Sequence, residues 1–356
     1  MRSAHGKRSS GAGGTGATPT AIATVAGLML VSATPQAAQA QDGCEFFAGR
    51  TVELVVPFNP GGGYDLYGRM VAAHMGDKLG AENMIVINRP GAGGTLATNQ
   101  TWTAAPDGLL IQLTNTSGML TSELGGAPGV RYESAGFSWI GRVTSEADAI
   151  SVGIDNSIGS LEDIRTAAAE RTLRFGSTGI GADNYLGAQI ISKVLDVEAE
   201  IVVGFAGGQE VFASMARGEV DFFISTFGSA RRAEDAGSVR IIGLLAAEPN
   251  PSHPDIEVLG ALVEDAGDKA LAGAFSDVGF GGRSLAAPPG MAEDRLQCLR
   301  DAYEATIADP DFLADTVERG LPITPVDGAT LAAVIGNLMA NPPQDFVELL
   351  REAYRN

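Results

Sequence analysis

Three glycine-rich stretches carry most of the chemistry this sequence offers: Asn59-Pro60-Gly61-Gly62-Gly63-Tyr64-Asp65, Arg89-Pro90-Gly91-Ala92-Gly93-Gly94 and Ser177-Thr178-Gly179-Ile180-Gly181. Each falls between a β-type run and a helical run. Glycines at such junctions let consecutive backbone N–H groups converge, and the helix start adds unpaired donors and the positive end of a dipole. That arrangement holds an anion, a carboxylate above all, without any Lys or Arg. A tight turn with no ligand explains any single loop as well; three at strand-to-helix junctions across two units point to an anion held between the units. The hydroxyls of Ser177 and Thr178 either add direct donors or cap the helix that follows. Asn115 and Ser117, just past one strand, and Ser225 and Thr226, just past another, are expected along the same cleft, as are Phe58 and Tyr64 flanking the first loop. Tyr64 either covers an aromatic or aliphatic solute or packs on the lobe surface. Asp65 reads as a cap of its own helix. Arg89, beside Pro90, reads as a salt-bridge partner fixing its loop rather than as a counterion.

Competing chemistries lack their residues. The loop around Gly61 is neither GxxxxGK[ST] nor GxGxxG and has no phosphate-binding lysine. There is no GxSxG, no HExxH and no acid cluster, and His5, His74 and His253 are scattered. No catalytic residue, metal or cofactor is expected, and the chain reads as binding a solute without transforming it. Cys44 and Cys298 are the only cysteines; they form either one disulfide closing a long loop or two unrelated thiols.

The elements that must position these loops alternate in kind. Residues 50–57 (RTVELVVP) read as a buried strand, and residues 64–79 repeat apolar side chains at helical spacing. Residues 84–88 and 109–114 read as further strands, with a helix from the second glycine loop to about Ala104. A second unit starts near Ile150. It has strands at 173–176, 200–203, 220–224 and 239–245, and helices at 160–169, 184–194 and 207–217. This is an α/β pattern of two units, as a 356-residue chain leads one to expect, because single cores stop growing at roughly 250 residues. Helices at 292–307, 310–319, 328–338 and 345–353 follow. They form either a third layer or a return to the first unit.

Residues 1–40 read as a cleaved signal peptide: Arg2, Lys7 and Arg8 precede an apolar run at 21–33 that is too short to span a bilayer, and Ala38-Gln39-Ala40 offers a cleavage site. The formal net charge is -19, and the processed chain is three charges more negative still. Such a field repels nucleic acid and anionic lipid. Screening beyond about 10 Å leaves an anion site to its local donors.

At its glycine loops the sequence resembles the substrate-binding proteins of tripartite tricarboxylate transporters, the Bug-type receptors. The matching text is VVPFNPGGGYDLYGRMVAAHMGDKLG (residues 55–80), IVINRPGAGGTLATN (85–99), AAPDGLLIQL (104–113), FGSTGIGADNYLGAQII (ending at Ile191) and GFAGGQEVFASMARGEVDFFISTFGSA (204–230). The resemblance covers nearly all of the processed chain. It implies a two-lobed periplasmic binding protein fold with the ligand cleft between lobes. It divides the chain into lobe 1 (45–148), lobe 2 (149–273) and a C-terminal segment (274–356) that returns to brace lobe 1. It further implies a monomeric periplasmic receptor that passes a small organic acid to the integral-membrane subunits of the transporter; a receptor that reports its ligand to a membrane signalling protein is the alternative. The first two loops would hold one carboxylate through backbone amides and waters, with Gly61, Gly62, Gly63, Gly93 and Gly94 as the implied donors. Two departures bear on the ligand: Tyr64 stands where the family has Thr or Ser, and Gly204-Phe205-Ala206-Gly207 replaces a more polar stretch. Both favour a mono- or dicarboxylate with an apolar body over citrate.

Overall fold

The structure is a computed structural model and describes residues 43–251, 253–342 and 344–355. The expected signal peptide and its cleavage site at Ala40 lie outside these residues. Eleven strands among the described residues run in the order β1 (Thr51–Val56), β2 (Asn83–Asn88), β3 (Leu110–Asn115), β4 (Ser138–Thr144), β5 (Asp148–Gly153), β6 (Leu173–Ser177), β7 (Ala199–Val203), β8 (Phe222–Thr226), β9 (Val239–Leu244), β10 (Arg283–Ala287) and β11 (Val326–Asp327).

They form two mixed sheets. The first has the order β11-β4-β10-β3-β1-β2 and the second β7-β6-β8-β5-β9. Each sheet has a parallel trio, β2-β1-β3 or β7-β6-β8, followed by a strand running the other way. In the first sheet that antiparallel strand is β10; in the second it is β5. The chain therefore leaves the first sheet after β4 and enters the second through β5. It comes back through β10, which takes an interior slot between β3 and β4. Residues 283–287 thus supply a buried central strand of the first sheet. The two crossings run side by side: Arg283 pairs with Thr144 in the sheet, and Ser145 Oγ donates to the Gly279 carbonyl at 2.7 Å.

The helix Gly63–Leu79 follows from its sequence. Tyr67, Met70, Val71, Met75 and Leu79 recur at helical spacing and are buried on the first sheet. Gly80 ends it with φ 70°, a left-handed conformation for which glycine carries no side-chain penalty. The helix Glu293–Ile307 covers the same lobe, contributing Leu299 and Tyr303 to that core. Cys44 and Cys298 are joined by a disulfide, S–S 2.00 Å, that ties the start of the described chain to this late helix. No helix among the described residues is long and apolar enough to cross a membrane.

Candidate ligand-binding cleft

A cavity of about 700 Å3, counting its open mouth, lies between the two sheets and draws its walls from both. Lobe 1 supplies Phe58, Asn59, Gly62, Gly63 and Tyr64 from the first glycine loop, and Arg283 from β10. Lobe 2 supplies Thr178, Asp183 and Asn184, the start of the helix Gly208–Ala216, the end of β8, and Ser229 and Arg232 from the helix Phe227–Asp235. Four helices begin at this cleft, and their first-turn N–H groups give it a positive lining.

Two arginines concentrate that charge, and neither was visible as a site residue in the sequence. Arg283 is 2% exposed; its Nη2 donates to Thr226 Oγ1 at 2.6 Å, its Nη1 pairs with Glu146, and its guanidinium lies over the rings of Tyr64 and Tyr67 at 4.8 and 4.7 Å. Burial opposes its charge, but the adjacent Glu146 carboxylate together with Tyr64 and Tyr67 outweighs that. Arg232 differs. Among the described residues no carboxylate lies within 4 Å of its guanidinium, whose one hydrogen bond is to Ser229 Oγ at 3.3 Å. Burial, then repulsion from Arg283, lowers its pKa. It is a half-buried cation with unused donors, and an anion is what it lacks. Gly63 is what lets the first loop reach this pair. A Cβ there would sit 2.6 Å from Ser229 Oγ, 3.1 Å from Arg283 Nη2 and 3.3 Å from Arg232 Nη2. The Arg231-Arg232 doublet in so acidic a chain was the only sequence signal, and it reads equally as a solvated helix face.

The opposite wall is apolar. Phe212, Phe223 and Ile224 face Phe58 and Tyr64, whose rings pack at 4.7 Å. Tyr64 joins the lobe 1 core at one edge and lines the cleft at the other. It is neither a free lid nor a mere surface residue.

The remaining expected residues divide. Gly62, Thr178, Ser225 and Thr226 line the cleft. Gly61 gives its amide to Asp65 Oδ2 at 2.9 Å, so that donor is spent on the loop. Asp65 is not the helix cap, which is Gly62; it binds Arg69 and Asn88 as well, and these donors hold its carboxyl below the usual range although burial opposes ionisation. Ser177 is fully buried, and its hydroxyl is engaged by Asn184 and the Gly179 carbonyl. Asn115 caps the helix Thr116–Gly125, and Ser117 donates to the Val278 carbonyl. Arg89 pairs with Glu53 at 3.4 Å.

Gly93 and Gly94 are placed elsewhere. They lie outside the main cleft, and the Gly93 amide donates to the Thr178 carbonyl of lobe 2 at 3.1 Å. Glycine meets glycine here: a Cβ on Gly93 would fall 2.5 Å from the Ala182 nitrogen, and one on Gly179 would fall 2.5 Å from the Gly93 nitrogen. The second glycine loop thus fastens the lobes together. Gly93→Ala is expected to hold them apart, weakening acid binding and raising the radius of gyration measured by X-ray scattering. Gly126→Ala is the control, because Gly126 has a similar φ of 69° and nothing within 4 Å. Both variants bear a left-handed alanine costing roughly 1–2 kcal/mol, but only the first meets backbone. Equal effects of the two would overturn this role.

Behind Tyr64 a second, smaller space, about 290 Å3 counting its open mouth, lies where the two chain crossings meet; Thr144, Glu146, Asp148, Asp183 and Arg283 line it. Burial first, and the Asp183 carboxyl second, push Asp148 up to about 8. Asp183 is raised as well, mainly by burial. The folded protein therefore keeps a proton that the unfolded chain, with aspartates near 3.9, has lost. Stability from this group is complete below about pH 4 and declines as pH rises towards 8, with a slope of at most about 1.4 kcal/mol per pH unit. The melting temperature of the processed protein should fall between pH 5.5 and 8.5, and Asp148→Asn should flatten the decline. A wild-type melting temperature constant over that range would show that Asp148 is ionised throughout.

Residues 67–339 match the family model of the tripartite tricarboxylate transporter family receptor, TctC. The chain belongs to that family. A UPF0065 protein from the tcbD–tcbE intergenic region of Pseudomonas sp. strain P51 is 26% identical over 280 residues, which span 77% of this chain and 79% of the relative. The fold is that of the periplasmic binding protein BugD, with a TM-score of 0.70 at 22% identity over 85% of this chain and 97% of BugD. MatC from Rhodopseudomonas palustris, solved with bound malate, aligns with a TM-score of 0.67 at 22% identity over 86% of this chain and 99% of its own. As a tripartite tricarboxylate transporter receptor the protein is periplasmic; it binds a small organic carboxylate for a membrane transporter and does not transform it.

Proposed function

We propose that this receptor takes an organic acid with an apolar body, its carboxylate lying against Arg232, Ser229 and the start of the helix Gly63–Leu79. The observation that carries the reading is Arg232, a half-buried guanidinium without a carboxylate partner, facing a glycine that could bear no side chain. Carboxylate held by guanidinium and backbone N–H makes charge-assisted bonds, the stronger class. The wall of Phe58, Phe212, Phe223 and Ile224 favours an aliphatic or aromatic body over the three carboxylates of citrate. MatC holds malate, and a small acid of that kind fits the same fold; the aromatic wall argues for a less polar member here. The closed lobes then present the loaded receptor, as a monomer, to the integral-membrane subunits.

Thermal-shift and calorimetric screening of the processed protein would test this with citrate, malate, hexanoate and 3-phenylpropanoate. Hexanoate or 3-phenylpropanoate is expected to bind at least 10-fold tighter than citrate. Tight citrate binding with no response to the apolar acids would sink the reading.

A further inference from the structure

The cavity behind Tyr64 is not explained by holding a carboxylate. It shares Tyr64, Asp183, Thr226 and Arg283 with the main cleft, so the two spaces adjoin at the tyrosine. Every element around it brings a polar group: Tyr64 from the first helix, Ser117 from the helix Thr116–Gly125, and Thr144 and Glu146 from the outward crossing. Asp148 comes from β5, Asp183 from its helix start, and Arg283 from β10. Arg232 is the next cation, across the main cleft.

These groups do not balance one another. Glu146 is used up, since it pairs with Arg283 and accepts the Gly228 amide at 2.8 Å. The carboxyl of Asp183 accepts the Asn184 amide at 2.8 Å. Asp148 has no hydrogen bond or ion pair through its carboxyl among the described residues, although it faces the cavity. Thr144, 0% exposed, lines the same space with its hydroxyl lacking a partner of good geometry, because the Tyr67 hydroxyl goes to the Pro322 carbonyl at 2.6 Å. Three carboxyls face two guanidiniums across the adjoining cavities, and a buried charge of this kind persists only when paired. One proton shared by Asp148 and Asp183 brings the set to neutrality. A cationic group entering beside these acids would replace that proton charge for charge.

We infer that the Asp148–Asp183 cavity is a subsite for a cationic group, and that the receptor takes an aminocarboxylate whose ammonium lies between these acids while its carboxylate lies against Arg232. This rests on the carboxylate reading and adds the ligand's second charge. The ammonium donates to Asp183, Asp148 and the Thr144 hydroxyl, and the proton shared by the acids leaves to solvent as it enters.

Calorimetry on the processed protein at pH 7, in PIPES and in Tris, would compare L-phenylalanine with 3-phenylpropanoate and 6-aminohexanoate with hexanoate. The pairs differ only by the amine and sample short and long spacings. In at least one pair the amino member is expected to bind 10-fold tighter or more, as a charge-assisted contact provides, with proton release to the buffer. Asp183→Asn should cut that preference to under threefold while sparing the acid without the amine; Asp148→Asn carries the same comparison if the first variant folds poorly. Equal or tighter binding of the acids without the amine, or proton uptake, overturns the subsite and leaves the carboxylate reading intact. If no member of either pair binds, both fall.

Discussion

Arg232→Gln should lower affinity for the bound acid by roughly 30–100-fold and leave the melting temperature of the ligand-free protein nearly unchanged. The two outcomes separate because of what Arg232 touches. In the protein alone its charge is held against partial desolvation and repulsion from Arg283, and it has only Ser229 and the weaker, more distant attraction of Glu146 in return. Removing that charge takes away no ion pair, so stability has little to lose. In the complex the same guanidinium makes charge-assisted bonds to a carboxylate, each worth about 1.5–3 kcal/mol. Calorimetry with the acid that responds best, beside a melting curve, checks both halves. An affinity within threefold of wild type would move the carboxylate away from Arg232 and undo the proposed site.

The second large effect concerns stability alone. Replacing Cys44 and Cys298 together by serine is expected to cost on the order of 3–5 kcal/mol, seen as a lower urea midpoint. The two cysteines are 254 residues apart, so the bond removes much conformational freedom from the unfolded chain. Cys298 is also 3% exposed on the helix Glu293–Ile307, so its serine would place a hydroxyl in the lobe 1 core. Wild-type protein in reductant separates the two contributions, losing the crosslink without gaining the hydroxyl. A midpoint unmoved by either treatment would mean that the crosslink adds nothing to stability.

The first lobe was legible where one short stretch contains its own instructions. β1 is a Val-rich run, the helix Gly63–Leu79 shows helical spacing and a glycine stop, and the glycine loops sit at their junctions. The elements that escaped are defined by distant partners. β10 is RSLAA, five buried residues without alternation, and it becomes a strand because β3 and β4 flank it. β4 is buried throughout and shows no period either. The helix Phe227–Asp235 looks like a polar loop in isolation. Those omissions hid the site's cations, since Arg283 opens β10 and Arg232 lies on that helix. The loop Arg89–Gly94 is ambiguous in sequence for a related reason: a glycine kept free for a ligand and a glycine kept free for the other lobe's backbone look alike until the lobes are together.

Because β10 fills the slot between β3 and β4, a chain crossing a membrane N-terminus first must emerge to residue 287 before its first sheet is continuous. Until then β3 and β4 each present an open edge, the kind of surface on which unfinished chains aggregate. The long sequence separation of this pairing slows its formation as well. Arg283 arrives with that same strand. A partly exported chain therefore has its glycine loops but not its buried guanidinium, and the wall of the cleft is complete only once β10 is in place.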